Sequence, residues 1–190
     1  MMTARVSEGR YTTVAIAFHW IIALLVIGQL YVGFTFADMA RGDPRTAWFA
    51  WHKTLGFTIL LLSIARLLWR IGNPPPPFPA ALPGWERTLA RINHTLFYVV
   101  LIGLPATGWM YLSTGSSTAA RGSTIPLLGG LQWPVIPGLP RAAHESFEEA
   151  HGVLVWLTLS LLALHVAAAL KHQFVDRIPN RMIPARPRDQ

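Results

Sequence analysis

Residues 151–165, HGVLVWLTLSLLALH, begin and end in histidine and carry no charge between them. The stretch is too long for a strand and reads as one helix. Fourteen steps at about 100° leave roughly 40° of net rotation, so His151 and His165 share a face. At about 1.5 Å per residue they stand roughly 21 Å apart along the axis. One apolar helix therefore offers two imidazoles to its neighbours at two depths.

The same character extends along the chain. Of 190 residues, 52% are apolar and 13% charged, against about a quarter charged in an average soluble domain. Mean hydropathy is positive. These values define an integral membrane protein. Four runs are long enough to cross a bilayer, at about 12–36, 48–70, 88–112 and 147–171, the last with an extra turn from Arg141. They predict an all-α four-helix bundle in one membrane domain. The first run is too long for a signal-peptide core and reads as a retained span. The proline run at 72–84 is an extended connection. Pro105 is expected to kink the third span, where Gly103 and Gly108 allow close approach. Residues 113–142, rich in Gly, Ser, Pro and Thr, form a loop of unusual length.

Charge sets the expected topology. Eleven basic residues fall on the side of the termini and the 72–91 connection: Arg5, Arg10, Arg66, Arg70, Arg87, Arg91, Lys171, Arg177, Arg181, Arg186 and Arg188. Five fall on the other side: Arg41, Arg45, Lys53, Arg121 and Arg141. The positive-inside rule then puts both termini in the cytoplasm. Because the basic residues flank apolar runs, the net charge of +7 reflects membrane topology and lipid contact, with no nucleic-acid partner. Cysteine is absent, which excludes disulfides, cysteine-ligated clusters and thioether-attached haem.

In that orientation the histidines pair by depth. His52 and His151 lie near the outer face, and His19 and His165 near the inner face. Each pair spans two helices, as a cofactor site in a bundle core requires. Haem held between two imidazoles without covalent attachment suits these pairs and predicts electron transfer. His94 is an alternative to His19, or a neighbour of a haem edge, a propionate or a quinone. His144 and His172 continue the seven-residue stripe beyond the ends of the helix. Arg66, fourteen residues after His52, is expected to meet a haem propionate or to reach the headgroups. Lys53 is expected beside the outer haem, where its charge would draw small anions. Gly28, Gly33 and Gly56 give room for a macrocycle or for ordinary helix contact. His144 with Glu145, Glu148 and Glu149 has metal-binding chemistry, but a solvated turn accounts for it better.

Further stretches carry a family likeness: FHW at 18–20, WHKTLG at 51–56, ARLLWR at 65–70, INHTLFYVVLIGLPATGW at 92–109, HGVLVWLTLSLLALHVAAALKHQF at 151–174 and RMIPAR at 181–186. In these the chain resembles the bacterial cytochrome b561 family over about 10–184. It departs at 150–152, AHG, where a WHE-like sequence is expected. The resemblance implies two haem b groups on His19, His52, His151 and His165 and electron exchange with quinone in the inner membrane. Some members are similar to a superoxide oxidase, which takes electrons from superoxide outside and reduces ubiquinone. Other relatives are haem subunits of dehydrogenases or hydrogenases, so an electron-relay subunit is the first alternative. A non-redox transporter or scaffold is the second.

Overall fold

The computed structural model describes residues 10–79, 82–115, 124–176 and 181–182. Four long helices make up most of it: α1 (Thr13–Ala37), α2 (Asp43–Gly72), α3 (Gly84–Thr114) and α4 (His144–Phe174). Even the shortest, at 25 residues, measures about 38 Å, more than a hydrocarbon core of about 30 Å. All four are apolar and long enough to span.

Local chemistry sets the helix ends. The Thr12 hydroxyl accepts from the Ala15 N–H at 3.2 Å and caps α1. The second helix starts at Asp43, earlier than the span that begins near 48. Pro44 fits its first turn, where no N–H is needed. The third runs through Pro105 as one element. A short 3-10 turn at Arg141–Ala143 leads into α4.

α1 packs along α2 and α3 along α4, while α2 also meets α3. Between the two ends lies a dry layer of Ile22, Ile59 and Leu101, backed by Phe18, Leu25, Val26, Leu62 and Phe97. The outer surface is apolar too: Leu24, Tyr31, Val153, Trp156 and Leu164 are each about two-thirds exposed. A bundle oily both inside and out is one solvated by lipid.

The long loop is structured in its second part. Strands β1 (Thr124–Pro126) and β2 (Gln132–Pro134) pair antiparallel, with Ile125 opposite Trp133. The turn between them uses Gly129 and Gly130 at φ of 70° and 77°, a region that favours glycine. This hairpin lies on α2 and α3. Trp133 stacks on Phe57 with ring centres 4.5 Å apart, and Ile125 is buried against Phe57 and Leu60. Backbone groups are tied down as well. The Leu128 N–H donates to Thr54 Oγ1, the Ile136 N–H to Ser113 Oγ, and Trp109 Nε1 to the Pro134 carbonyl.

Candidate haem sites in the bundle

Two histidine pairs sit at opposite ends of the dry layer. At the hairpin end, His52 of α2 and His151 of α4 have ring centres 6.2 Å apart. At the other end, His19 of α1 and His165 of α4 are also 6.2 Å apart. Two metal–imidazole bonds of about 2 Å, plus the step from each nitrogen to its ring centre, add to roughly 6 Å. The same spacing therefore serves a bis-imidazole metal centre at both ends.

Glycines make the room for the hairpin-end pair. A Cβ on Gly33 would stand 3.2 Å from the His52 ring, and one on Gly108 would stand 3.1 Å from the His151 ring. Gly56 faces the Gln29 amide at 3.4 Å, whereas Gly28 faces open space. The Nδ1–Cε1 edge of each ring thus meets the glycine where any larger residue would push it away.

Fixed partners hold the rings. His151 Nδ1 donates to the Leu104 carbonyl at 3.0 Å, with Thr107 Oγ1 at 3.3 Å from the same nitrogen. A proton on Nδ1 leaves the Nε2 lone pair for a metal, the usual arrangement behind a ligating histidine. His165 Nδ1 lies 3.4 Å from the Asn93 amide nitrogen, while Asn93 Oδ1 is buried without a partner. A half turn of that amide brings Oδ1 onto His165 Nδ1–H and satisfies both groups. Gln29 Nε2 donates to the His52 carbonyl at 3.0 Å and lies 3.3 Å from His52 Nε2. His52 Nδ1 and Gln29 Oε1 remain buried without a protein partner. Buried polar atoms are normally satisfied, so the orphaned His52 Nδ1 fits a group supplied from outside the chain.

The other expected residues fall into place around these pairs. Arg66 turns inward: its Nη2 is 3.4 Å from His19 Nδ1, and its guanidinium lies over the Tyr98 ring. His94 approaches His165 with ring centres 5.8 Å apart, and it lines a cavity of about 530 Å³. Lys53 Nζ donates to the Pro126 carbonyl at 2.7 Å and sits over Phe49, so it clamps the hairpin to α2 one residue from His52. His144 stacks on Tyr111 and meets Thr114 Oγ1. Among the described residues the acid and imidazole group close enough to share an ion is Glu86, His172 and Asp176, and not His144 with its neighbouring glutamates. Lys171 already supplies the cation there, 2.9 Å from Glu86 and 2.8 Å from Asp176.

The sequence alone does not single out Gln29, Asn93 or Thr107. A signal existed for two of them. Asn93 directly precedes His94, and Thr107 lies in the turn between Pro105 and Gly108.

Four apolar spans with two imidazole pairs at two depths define a helical membrane protein with paired imidazoles in its core. Comparison with known proteins gives the family. The model for prokaryotic cytochrome b561 matches residues 10–185. The chain is 30% identical over 173 residues to cytochrome b561 homolog 2 of Escherichia coli (strain K12), covering 88% of this chain and 87% of that one. It is 27% identical over 181 residues to the probable superoxide oxidase CybB of Yersinia pestis, covering 92% and 96%. The chain belongs to the prokaryotic cytochrome b561 family, and with it to the multi-pass bacterial membrane proteins that bind haem b and transfer electrons.

Proposed function

We propose that the chain is a di-haem superoxide:ubiquinone oxidoreductase of the inner membrane, with both termini in the cytoplasm. The observation that carries the two-haem reading is the repeat of the 6.2 Å ring spacing at both ends of α4. Similarity to a protein named probable superoxide oxidase supports the choice of donor.

His52 and His151 would hold the outer haem, and His19 and His165 the inner one. Held by these histidines, haem b would supply one-electron chemistry. Every other part of the work falls to the chain. Leu104, Thr107 and Asn93 orient the ligating rings. Gly33 and Gly108 keep side chains out of the ring positions. Arg66, beside His19 and with no ion pair among the described residues, offers a fork to a propionate. Lys53, bonded to the Pro126 carbonyl beside His52, places a cationic side chain where a small anion would be drawn to the outer face. In the overall reaction two superoxide anions each lose one electron and leave as dioxygen. Ubiquinone takes those two electrons and two protons and leaves as ubiquinol.

The test is superoxide-driven ubiquinone reduction by purified holoprotein in liposomes. Reduction is expected in the wild type and not in His52→Ala. A haem-loaded protein that gives no ubiquinol from superoxide overturns the donor assignment and leaves the relay-subunit reading.

A further inference from the structure

Ser63 carries a buried polar group that no contact within the chain accounts for. The residue is fully buried in α2, and its Oγ has no hydrogen-bond partner. Every other serine or threonine of the four helices that is not exposed, among the described residues, donates to a carbonyl three or four residues back. Thr54, Thr58, Ser113 and Thr158 do so at 2.7–2.9 Å. That bond is the ready way to satisfy a hydroxyl inside an apolar helix. Ser63 forgoes it, and a buried hydroxyl left unpaired costs stability.

Its position says what the hydroxyl serves. Eleven helical steps from His52 leave about 20° of rotation, and three further steps to Arg66 about 60°, so the three residues share one face. Ile59, on the same face, is buried in the dry layer. Along the axis Ser63 stands about 16.5 Å beyond His52 and about 4.5 Å short of Arg66. Arg66 in turn reaches His19, with Nη2 3.4 Å from Nδ1. Ser63 therefore lies on the midplane side of the His19–His165 pair, between the two candidate haem sites. Water is a poor partner there, because a buried water needs about two to four polar groups around it. The other buried hydroxyl between the pairs, on Thr158, is closed on the Leu154 carbonyl at 2.7 Å. A haem on the nearer pair is a better one. It gains negative charge on reduction, and the hydrogen end of an O–H dipole in an apolar layer favours that charge.

We propose that Ser63 turns its O–H toward the haem held by His19 and His165 and raises the reduction potential of that haem, leaving the haem of His52 and His151 unaffected. Ser63 is a tuning residue here and does not ligate iron. The inference rests on the two-haem reading and is independent of the electron donor.

Spectroelectrochemical titration of the purified holoprotein tests it in two backgrounds that each leave one haem. His52→Ala keeps the haem of His19 and His165, and His165→Ala keeps the other. Adding Ser63→Ala to His52→Ala is expected to lower the reduced-to-oxidised ratio at a fixed poise by roughly three- to tenfold, the worth of one hydrogen bond. Adding it to His165→Ala should leave the ratio as it was. Haem content should change in neither background. An unchanged or higher ratio in the first background overturns the proposal. An equal fall in both backgrounds overturns it too, since that is a packing effect. So does loss of haem on adding Ser63→Ala, which would make the serine structural. If His52→Ala by itself holds no haem, the two-haem reading fails and the proposal with it, and that variant alone tells the two failures apart.

Discussion

Two glycines set the geometry of the His52–His151 pair. Alanine is a better helix former than glycine by about 1 kcal/mol, so Gly→Ala in a helix is ordinarily stabilising. At Gly33 and Gly108 the new Cβ would meet an imidazole at 3.1–3.3 Å, tighter than ordinary contact. Gly108→Ala is therefore expected to displace His151 and to lower outer-haem content while the helix itself persists. Gly28→Ala, facing open space, is the control and should bind haem as the wild type does. Haem-to-protein ratio and far-ultraviolet circular dichroism read the two effects apart. At the His19–His165 pair Asn93→Leu removes the amide beside His165. Loss of such a partner commonly weakens a metal site 10–100-fold. Inner-haem retention under dilution or competition should fall by a comparable factor, with the outer haem unaffected.

Elements differ in what the sequence discloses. Helices α1 and α4 are legible because nothing but an apolar span fits such runs. The depth pairing of the histidines is legible as well, because helical rise converts residue number into position. The hairpin at Thr124–Pro134 lies in a stretch whose composition reads as loop. Its signal is the pair Gly129–Gly130 between IPLL and LQWPVI, but apolar residues in a loop gain meaning only once α2 and α3 offer a surface to cover. Trp133 is the anchor, against Phe57 and Trp109. Trp133→Ala should cost the hairpin about 3 kcal/mol of local stability. Hydrogen exchange in 124–136 should then accelerate while α1 and α4 stay protected. The ion cluster at the opposite end has a pH signature. Hydrogen bonds from Lys171 and His172 hold the Asp176 carboxyl below its usual range. Its contribution is thus present at neutral pH and is lost as acid protonates the carboxyl, below about pH 4. The melting temperatures of Asp176→Asn and wild type should differ at pH 7 and converge in acid.

At the scale of the whole molecule, the proposed orientation rests on charge. Part of that count rests on Arg5, Arg121, Arg177, Arg186 and Arg188, which lie outside the described residues, as does most of the RMIPAR tail. Native cysteine is absent, so single substitutions report cleanly. Leu131→Cys in the hairpin turn is expected to react with an impermeant maleimide on intact cells. Asn73→Cys, just after α2, should react only after lysis. The reverse pattern would invert the account. The partners that orient His52, His151 and His165 became visible only in three dimensions. They come from helices distant in sequence, and a lone Gln, Asn or Thr in a span has many other uses.

The central claim is that one bundle holds two haems, each between two histidines of different helices. The most direct measurement is the reduced-minus-oxidised absorption spectrum of the purified protein, with haem counted by pyridine haemochrome, for wild type, His52→Ala and His165→Ala. Two b-type haems per chain are expected in the wild type and one in each variant, with different bands surviving in the two. A colourless wild type would contradict the claim outright. One haem in the wild type would dissolve one of the two 6.2 Å pairs and bring His94 forward as a ligand.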